Sequence, residues 1–347
     1  MTPLFIVALV CWGAGWVLLA RLRTSGGKLR VQGLETMPSI IVPARNEETN
    51  LPTLLHSITS QSSKPLEVIV VDDDSTDHTA EVTRQFGARV VKAQPLPDGW
   101  RGKAWACHQG AAAATGRLLL FLDADTWFEP DGLGKILAAY DGGAFSVGPF
   151  HAVWRAYENL SLFFNVNMTA GTVPDGLFGQ MLLVDRESYE RVGGHEAVRG
   201  RILENCFLAE RFRGAGIPVQ GLAGQGLLSF RMYPNGLREL VEGWTKGFAA
   251  GAGQTPRGVL LLLVGWMFGL MLVPLVWVVA GNSWAWAGLY LLCAAQAGWL
   301  ARRIGSFSWW AALMYPVPLV FFFIVFGRSV LRGGKQVVWK GRRIHAD

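Results

Sequence analysis

Hydrophobic and polar positions divide the chain into a mixed middle and two apolar ends. Pro3 to Ala20 and Val259 to Phe326 hold almost no charge, with Arg302 and Arg303 as the exceptions, while residues 31 to 257 carry charges throughout. The first run is long enough for one membrane helix, and Val259–Ala280, Trp284–Ala301 and Phe307–Phe326 are each long enough to span. Trp284, Trp286, Trp299, Trp309 and Trp310 stand at the ends of these segments, as interface belts do. In the middle, from Ser39 to Val153, short β-branched runs alternate with helical stretches. SIIV is followed by LPTLLHSITSQ, LEVIVV by a helix to Phe86, ARVV by AWACHQGAAAA, and RLLLFL closes the series. That alternation predicts an α/β fold with a mostly parallel sheet flanked by helices, one N-terminal transmembrane helix and a C-terminal helical membrane region.

The expected division is an anchor over 1–22, a catalytic domain over 38–235, an amphipathic or linker region over 236–258, membrane helices over 259–327 and a basic tail over 328–347. Arg21, Arg23, Lys28 and Arg30 follow the first apolar run and no cation precedes it, which reverses the order of a cleavable signal. The positive-inside rule then predicts a multi-pass cell-membrane protein with its N-terminus outside and its catalytic domain cytoplasmic. Three crossings from there would put the basic tail outside, yet Arg302, Arg303 and the tail all ask to be inside. Pro316 and Pro318 offer an exit, because they break the last segment and predict a re-entrant or interfacial hairpin over 307–326. The Gly-rich GFAAGAGQTPRG reads as a linker into the membrane region. WRAYENLSLFFNVNM, residues 154–168, has apolar residues at spacings of three and four, which fits a helix on the bilayer or an ordinary core helix.

Composition agrees: 51% of the 347 residues are hydrophobic and 17% charged. The net charge of +6 concentrates in Arg328, Arg332, Lys335, Lys340, Arg342 and Arg343. Beside apolar segments, that cluster suits anionic membrane lipids and not nucleic acid. Cys11, Cys107, Cys206 and Cys293 are too scattered for a zinc or redox motif.

Candidate chemistry collects where the predicted strands end, the edge at which such sheets bind ligands. LFLDADTWF places Asp123 and Asp125 directly after a buried strand, and two hard oxygen donors there suit Mg²⁺ or Mn²⁺ shared with a diphosphate. VIVVDDDSTDHT stacks Asp72, Asp73 and Asp74, whose mutual repulsion calls for a ligand or cation, before capping residues Ser75 to Asp77. A carboxylate here can accept the N3 proton of uracil. IIVPARNEE offers Glu47 and the backbone of Pro43 and Ala44 as a nucleoside cradle. Lys103, in GWRGKAWACHQG, can meet a phosphate or a carboxylate of the aspartate cluster.

Taken in order, IIVPARNEE, the DDDSTDHT block, GKAWACHQG, LDAD and VGGHEAVRGRILENCFLAERFRGAGIPV resemble the family 2 glycosyltransferases of GT-A fold, over about Ser39 to Val219. The resemblance implies a UDP-sugar donor and a divalent metal, with Asp73 on the base, Asp123 on the ribose and Asp125 on the metal. The acceptor then approaches near Glu204. Further downstream, FRMYPNGLRELVEGWTKGFAAGAGQT, RRIGSFS and VVWKGRRI resemble membrane-bound carotenoid glycosyltransferases, and more loosely ceramide glucosyltransferases. The family implies inverting transfer, and that subgroup implies UDP-glucose as the donor of the hexose and a carotenoid carboxylic acid as its lipid-soluble acceptor. The departure from the Gln-x-x-Arg-Trp pattern of processive synthases points to non-processive transfer. A glycolipid synthase acting on a ceramide, diacylglycerol or hopanoid hydroxyl stays open, as does a catalytically silent nucleotide-sugar scaffold.

The chain departs from the family pattern twice. Glu204–Asn205 stands where most members have Glu-Asp with the Asp as base, and Asn cannot accept the proton, so Glu204 becomes the substitute. EGWTKG replaces the Gln-x-x-Arg-Trp of processive synthases, leaving Glu242, Trp244 and Lys246 as candidates for sugar or acceptor contact. An acceptor that is already ionised at neutral pH needs positioning more than deprotonation, which makes the missing Asp tolerable.

Overall fold

The computed structural model describes residues 3–22, 36–201, 203–279, 283–332, 337–339 and 342–344, apart from the side chains of 246–254, of Arg332 and of both final strands. Arg23, Lys28, Arg30, Lys335, Lys340 and the side chains of Lys246, Arg342 and Arg343 lie outside the described residues. In chain order the elements are α1 (Pro3–Arg21), β1 (Ser39–Ala44), α2 (Leu51–Thr59), β2 (Glu67–Asp72), α3 (Thr79–Gln85), β3 (Arg89–Lys92), α4 (Gly102–Ala113), β4 (Leu118–Leu122), β5 (Thr126–Phe128) and α5 (Gly132–Ala139). There follow β6 (Ala144–Gly148), β7 (Phe150–His151), α6 (Leu162–Thr172), β8 (Met181–Asp185), α7 (Arg186–Arg191), α8 (Glu204–Gly214), β9 (Val219–Ala223) and β10 (Leu228–Phe230). The chain closes with α9 (Leu237–Gln254), α10 (Arg257–Val279), α11 (Trp284–Ile304), α12 (Trp309–Leu313), α13 (Pro316–Arg332), β11 (Val337–Trp339) and β12 (Arg342–Ile344).

Two compact units emerge, and they differ from the expected domain limits. One combines residues 24–150, 174–230 and 334–347; the other combines 1–23, 151–173 and 231–333. The expected catalytic span is therefore interrupted, because residues 151–173 fold with the C-terminal helices.

The first unit is built on a seven-stranded sheet ordered β3-β2-β1-β4-β8-β6-β9. β1 pairs in parallel with β2 and β4, β2 with β3, and β6 with β9, while β8 runs antiparallel to both neighbours. Both faces of the central strands are covered, which is why β1 and β4 read as continuous apolar runs instead of alternating ones. Ile40, Val42, Leu120 and Leu122 pack with Leu51, Leu54 and Leu55 of α2, and Ile41, Val71 and Phe121 pack on the other face with Ala106 and Cys107 of α4. α4 lies close to the sheet through Gly110, where a Cβ would come within 2.3 Å of Ile41 Cγ2 and 3.0 Å of Val71 Cγ2. In an exposed helix Gly→Ala gains about 1 kcal/mol. Here Gly110→Ala is expected to lose about 1–2 kcal/mol through overpacking, read as a lower melting temperature.

The second unit is helical. Among the described residues, α1 and α10 are long and apolar enough to cross a membrane, and α13 is a shorter apolar helix. Trp284–Ala301, expected as a span, forms α11 but fails that standard. It buries Gln296, which accepts from Trp266 Nε1 at 2.8 Å and donates to the Trp12 carbonyl at 3.0 Å. A buried amide is tolerated there because both of its ends are paired. The last apolar segment is broken beside Pro316: α12 ends at Leu313 and α13 starts on Pro316, so the proline occupies a first turn that needs no N–H, while Pro318 lies inside α13. The expected linker is also corrected. α9 continues through its glycines to Gln254, leaving only Thr255 and Pro256 before α10.

Residues 154–168 likewise differ from one amphipathic helix. Ala156–Ser161 forms a 3₁₀ turn, and α6 then buries Phe163, Phe164, Val166 and Ala170 in the core of this unit. Of the two readings held open for this stretch, α6 follows the core helix. Asn165 and Asn167 are buried too, but their amides donate to Ser161 and Phe163 carbonyls four residues back. At the C-terminus, α13 runs to Arg332 and β11 pairs with β12, so the expected tail is partly helix and hairpin.

Candidate active site

β1, β2 and β4 are adjacent and parallel, so their carboxyl ends open on one edge of the sheet, and the sequence-predicted residues collect there. The loop after β1 is stitched to the loop after β2. Asp73 N donates to Ala44 O at 2.8 Å, Arg45 Nη1 to Asp73 O at 2.6 Å, Asn46 N to Ser75 Oγ at 3.0 Å and Thr76 N to Asn46 Oδ1 at 2.8 Å. Asn46 and Asp74 sit at φ 53° and 58°, a left-handed conformation that Asn and Asp tolerate better than most residues.

The three consecutive aspartates separate by environment. Asp72 Oδ1 accepts from Ser75 N at 3.0 Å, and Asp74 is exposed and lies 3.6 Å from Arg45. Asp73 is buried, at 4% exposure, directly beside Pro43 and Ala44 of β1. Glu47 is nearly buried as well. Its Oε2 accepts from Asn50 Nδ2 at 2.7 Å, and its own N–H donates to Thr79 Oγ1 at 2.8 Å. Asp77 accepts from Thr79 and from Glu48 N. Burial would raise its pKa, but those hydrogen bonds outweigh it and hold the carboxyl below its usual range.

The centre of the site is Lys103, on the first turn of α4. Its Nζ lies 2.7 Å from Asp123 Oδ1, 2.9 Å from Glu204 Oε1 and 2.8 Å from the Gly179 carbonyl, so all three N–H bonds of the ammonium have an acceptor. Burial works against the charge on Lys103, yet Asp123 and Glu204 outweigh it and lift its pKa above the ordinary lysine range. Asp123, directly after β4, is further fixed by its N–H to the Gln180 carbonyl at 2.9 Å. Glu204 opens α8, where a carboxylate also meets the positive end of the helix dipole.

Asn205 faces the 178–180 loop, donating to Phe178 O at 2.7 Å and to Gly179 O at 3.3 Å. An aspartate there would set its oxygens against those carbonyls, so the amide has a structural reason. Sequence reasoning noticed Asn205 only for what it cannot do, and it missed the Gly179 carbonyl, whose contact depends on no side chain.

Asp125, two residues beyond Asp123, lies partly exposed on the turn between β4 and β5. Among the described residues no three His, Cys, Asp or Glu side chains group closely enough to hold a cation alone. The donor set is two hard carboxylates, one of them already on Lys103. It fits a divalent cation that takes most of its oxygen ligands from a bound diphosphate.

The candidates on α9 belong to the helical unit. Trp244 is buried, donates through Nε1 to Ser161 Oγ at 3.0 Å and stacks on Phe164 at 4.7 Å, so its indole packs the core and offers no open platform. Glu242 is half-exposed and accepts from Arg238 Nε at 3.0 Å.

His195 packs against Phe121 of β4 and shares a 2.9 Å hydrogen bond between its Nδ1 and the Tyr189 hydroxyl. Burial, helped by the charges of Lys103 and His108, lowers its pKa to about 3. Its unfolded value is about 6.5, so as the pH falls the unfolded chain takes up this proton first. The stability His195 contributes is complete above pH ~6.5 and drains away toward pH ~3, at up to about 1.4 kcal/mol per pH unit. Between about pH 7.5 and pH 5, His195→Gln is expected to lose less melting temperature than the parent.

An α/β sheet in this strand order, with acidic strand ends converging on one edge, defines a GT-A-type glycosyltransferase fold. The comparisons give the family. The model for glycosyl transferase family 2 matches residues 39–160. The chain is 35% identical over 328 residues to the 4,4'-diaponeurosporenoate glycosyltransferase of Staphylococcus aureus, covering 88% of this chain and 87% of the relative. It is 34% identical to the protein of the same name from Staphylococcus haemolyticus, with 88% of each covered. Among solved structures, a mannosyltransferase from Pyrobaculum calidifontis in complex with GDP-Man and Mn²⁺ superposes with a TM-score of 0.53 at 20% identity, covering 94% of this chain and 96% of that one. The chain belongs to the family 2 glycosyltransferases.

Proposed function

We propose that this enzyme is a membrane-bound, inverting, non-processive glycosyltransferase that moves glucose from UDP-glucose to the carboxylate of an apolar polyene acid. The observation that carries the reading is the Lys103–Asp123–Glu204 cluster at the carboxyl edge of β4, taken with a relative, 35% identical over most of the chain, whose name specifies a carotenoid acid as acceptor.

In this reading Asp73 accepts the N3 proton of uracil while Pro43, Ala44 and Glu47 cradle the nucleoside. Asp123 meets the ribose. Asp125, with Asp123 beside it, would hold a divalent cation, Mg²⁺ or Mn²⁺, which would supply Lewis-acid neutralisation of the departing diphosphate. Lys103 adds a fixed positive charge on the same side. A carboxylate oxygen of the acceptor forms the new bond to the anomeric carbon, the bond from that carbon to the phosphate oxygen breaks, and its electron pair leaves with UDP. No proton has to move, because the acceptor is ionised at neutral pH.

Toward an ionised acid Glu204 acts only by holding Lys103 in place, and on an alcohol it would serve as general base. Glu242 and Lys246 remain candidates for acceptor contact, and Trp244 packs α9 within its own unit. The N-terminal and C-terminal apolar helices embed the enzyme in the cell membrane, with the sheet unit in the cytoplasm and the basic C-terminus on anionic lipid. The break before Pro316 fits a re-entrant turn.

The test is Glu204→Gln assayed on two acceptors. With a polyene carboxylic acid, turnover is expected to fall by about tenfold or less. With a long-chain alcohol it is expected to fall by at least about a hundredfold, the lower end of what a general base contributes. Equal losses on both would contradict the assignment.

A further inference from the structure

The helical unit carries a strong charge imbalance. Over residues 1–23, 151–173 and 231–333 there are eleven Lys and Arg but only three acids, and between Glu242 and Asp347 the sequence has no acid at all. Each of the three acids has a partner within its unit. Glu158 is buried and takes Arg231 at 2.7 Å, Glu239 accepts from Asn235 N at 2.9 Å, and Glu242 accepts from Arg238. Within this unit those three acids are already engaged, which leaves the cations near the apolar helices few partners of opposite charge there.

One of them stands at an apolar groove. α11 and α12 enclose a groove of about 590 Å³, lined by Ala295, Gly298, Trp299, Ser308 and Trp309, with Arg302 at its rim. Its floor is narrow because the helices approach closely at Gly298, where a Cβ would come within 3.1 Å of the Ala312 Cβ. Trp309 is exposed, and Trp299 is covered on one face by the Arg303 guanidinium at 4.1 Å. No acid or hydrogen-bond acceptor among the described residues meets Arg302.

An apolar slot with two tryptophans at its mouth and an unmatched guanidinium beside them has the chemistry of an amphiphile site: hydrocarbon in the slot, anion on the arginine. We infer that this groove is a specific site for an anionic phospholipid, whose acyl chain lies along α11 and α12 and whose phosphate pairs with Arg302. A phospholipid satisfies both halves at once, and a guanidinium matches phosphate in bidentate geometry. The site is separate from the basic C-terminus, and it rests on the membrane-bound reading above.

The test uses the full chain purified in neutral detergent, offered equimolar phosphatidylglycerol and phosphatidylcholine, with bound lipid counted by native mass spectrometry. The parent is expected to retain phosphatidylglycerol at least about fivefold over phosphatidylcholine. Made in an Arg342→Gln, Arg343→Gln background, so that the basic C-terminus does not add to the count, Arg302→Gln is expected to bring that ratio near one, Arg302→Lys to keep part of it, and Ala295→Leu, which fills the slot from its exposed side, to reduce retention of both lipids. Arg342→Gln with Arg343→Gln is expected to leave the ratio at the groove unchanged. An Arg302→Gln protein with the parental preference would overturn the inference, as would displacement of phosphatidylglycerol by equimolar oleate, which would mark the site as one for carboxylates. Equal binding of both lipids by the parent overturns this site alone, whereas absence of any bound lipid would also remove the membrane-bound reading.

Discussion

Asp125→Ala is expected to abolish sugar transfer while leaving the protein folded. Asp125 sits partly exposed on the turn after β4 and belongs to none of the buried apolar clusters, so its loss leaves the sheet core intact. Its proposed work is to hold the cation that neutralises the diphosphate, a contribution of several kcal/mol to the transition state. At about 1.4 kcal/mol per decade, that corresponds to a fall in turnover of about a thousandfold or more. Asp125→Asn preserves shape but not charge and is expected to be nearly as inactive, with a melting temperature within about 2 °C of the parent. A titration of Mn²⁺ in the presence of UDP supplies the second readout. The parent should show saturable, nucleotide-dependent uptake, and the variant should show none at the same concentrations.

Lys103→Ala should fail in a different way, losing both activity and stability. Among the described residues the ammonium is the only cation that pairs with both Asp123 and Glu204, each within 2.9 Å of the same nitrogen. Removing it leaves two carboxylates facing each other and a carbonyl without its donor. A fully buried pair broken in this way costs about 3–5 kcal/mol. The Lys103 side chain is about a quarter exposed, so the expected loss is on the order of 2 kcal/mol. For a unit of this size that is roughly 4–8 °C in melting temperature. Lys103→Arg is not expected to rescue it, because a planar guanidinium cannot aim three bonds from one atom at three converging acceptors. Its pH signature is equally specific. A lysine whose folded pKa is raised contributes stability that is complete below its unfolded value of about 10.4 and is lost only above it. The parent should therefore keep this contribution through neutral pH, with the difference between parent and Lys103→Ala narrowing only in strong alkali.

Much of this site could be read from the sequence because its donors sit next to strand ends that hydropathy marks clearly. SIIV, LEVIVV and LLLFL are each largely apolar and run into polar or acidic residues within a few positions, so both the sheet and its ligand edge could be inferred. Choosing Asp73 from three adjacent aspartates was only partly legible. The loop pairings that leave Asp72 half-buried, bury Asp73 and expose Asp74 run between Arg45 and Asn46 on one loop and Asp73 to Thr76 on the other, about thirty residues apart in sequence. Lys103 was recognised as a cation near phosphate or carboxylate, but its simultaneous hold on Asp123 and Glu204 depends on bringing α4, β4 and α8 together across a hundred residues.

The helical unit was harder to read. α11 is long enough to span, but the polar residues it carries, Gln296, Arg302 and Arg303 among them, leave it outside the helices that are both long and apolar enough. Trp244 was ambiguous for another reason. A tryptophan near a membrane segment looks the same in sequence whether it faces a ligand, a headgroup or, as here, a phenylalanine and a serine inside the core. The interruption of the catalytic unit by residues 151–173 left no compositional mark, since α6 is apolar whichever unit it joins.

The central claim is the chemistry of the bond that is formed, and the product itself tests it most directly. The purified enzyme, supplied with UDP-glucose, Mn²⁺ and a polyene carboxylic acid in mixed micelles, is expected to yield a hexosylated polyene that mild alkali splits back to the free acid, as an ester requires. An alkali-stable glycoside, or release of UDP with the polyene acid recovered unmodified, would contradict the account.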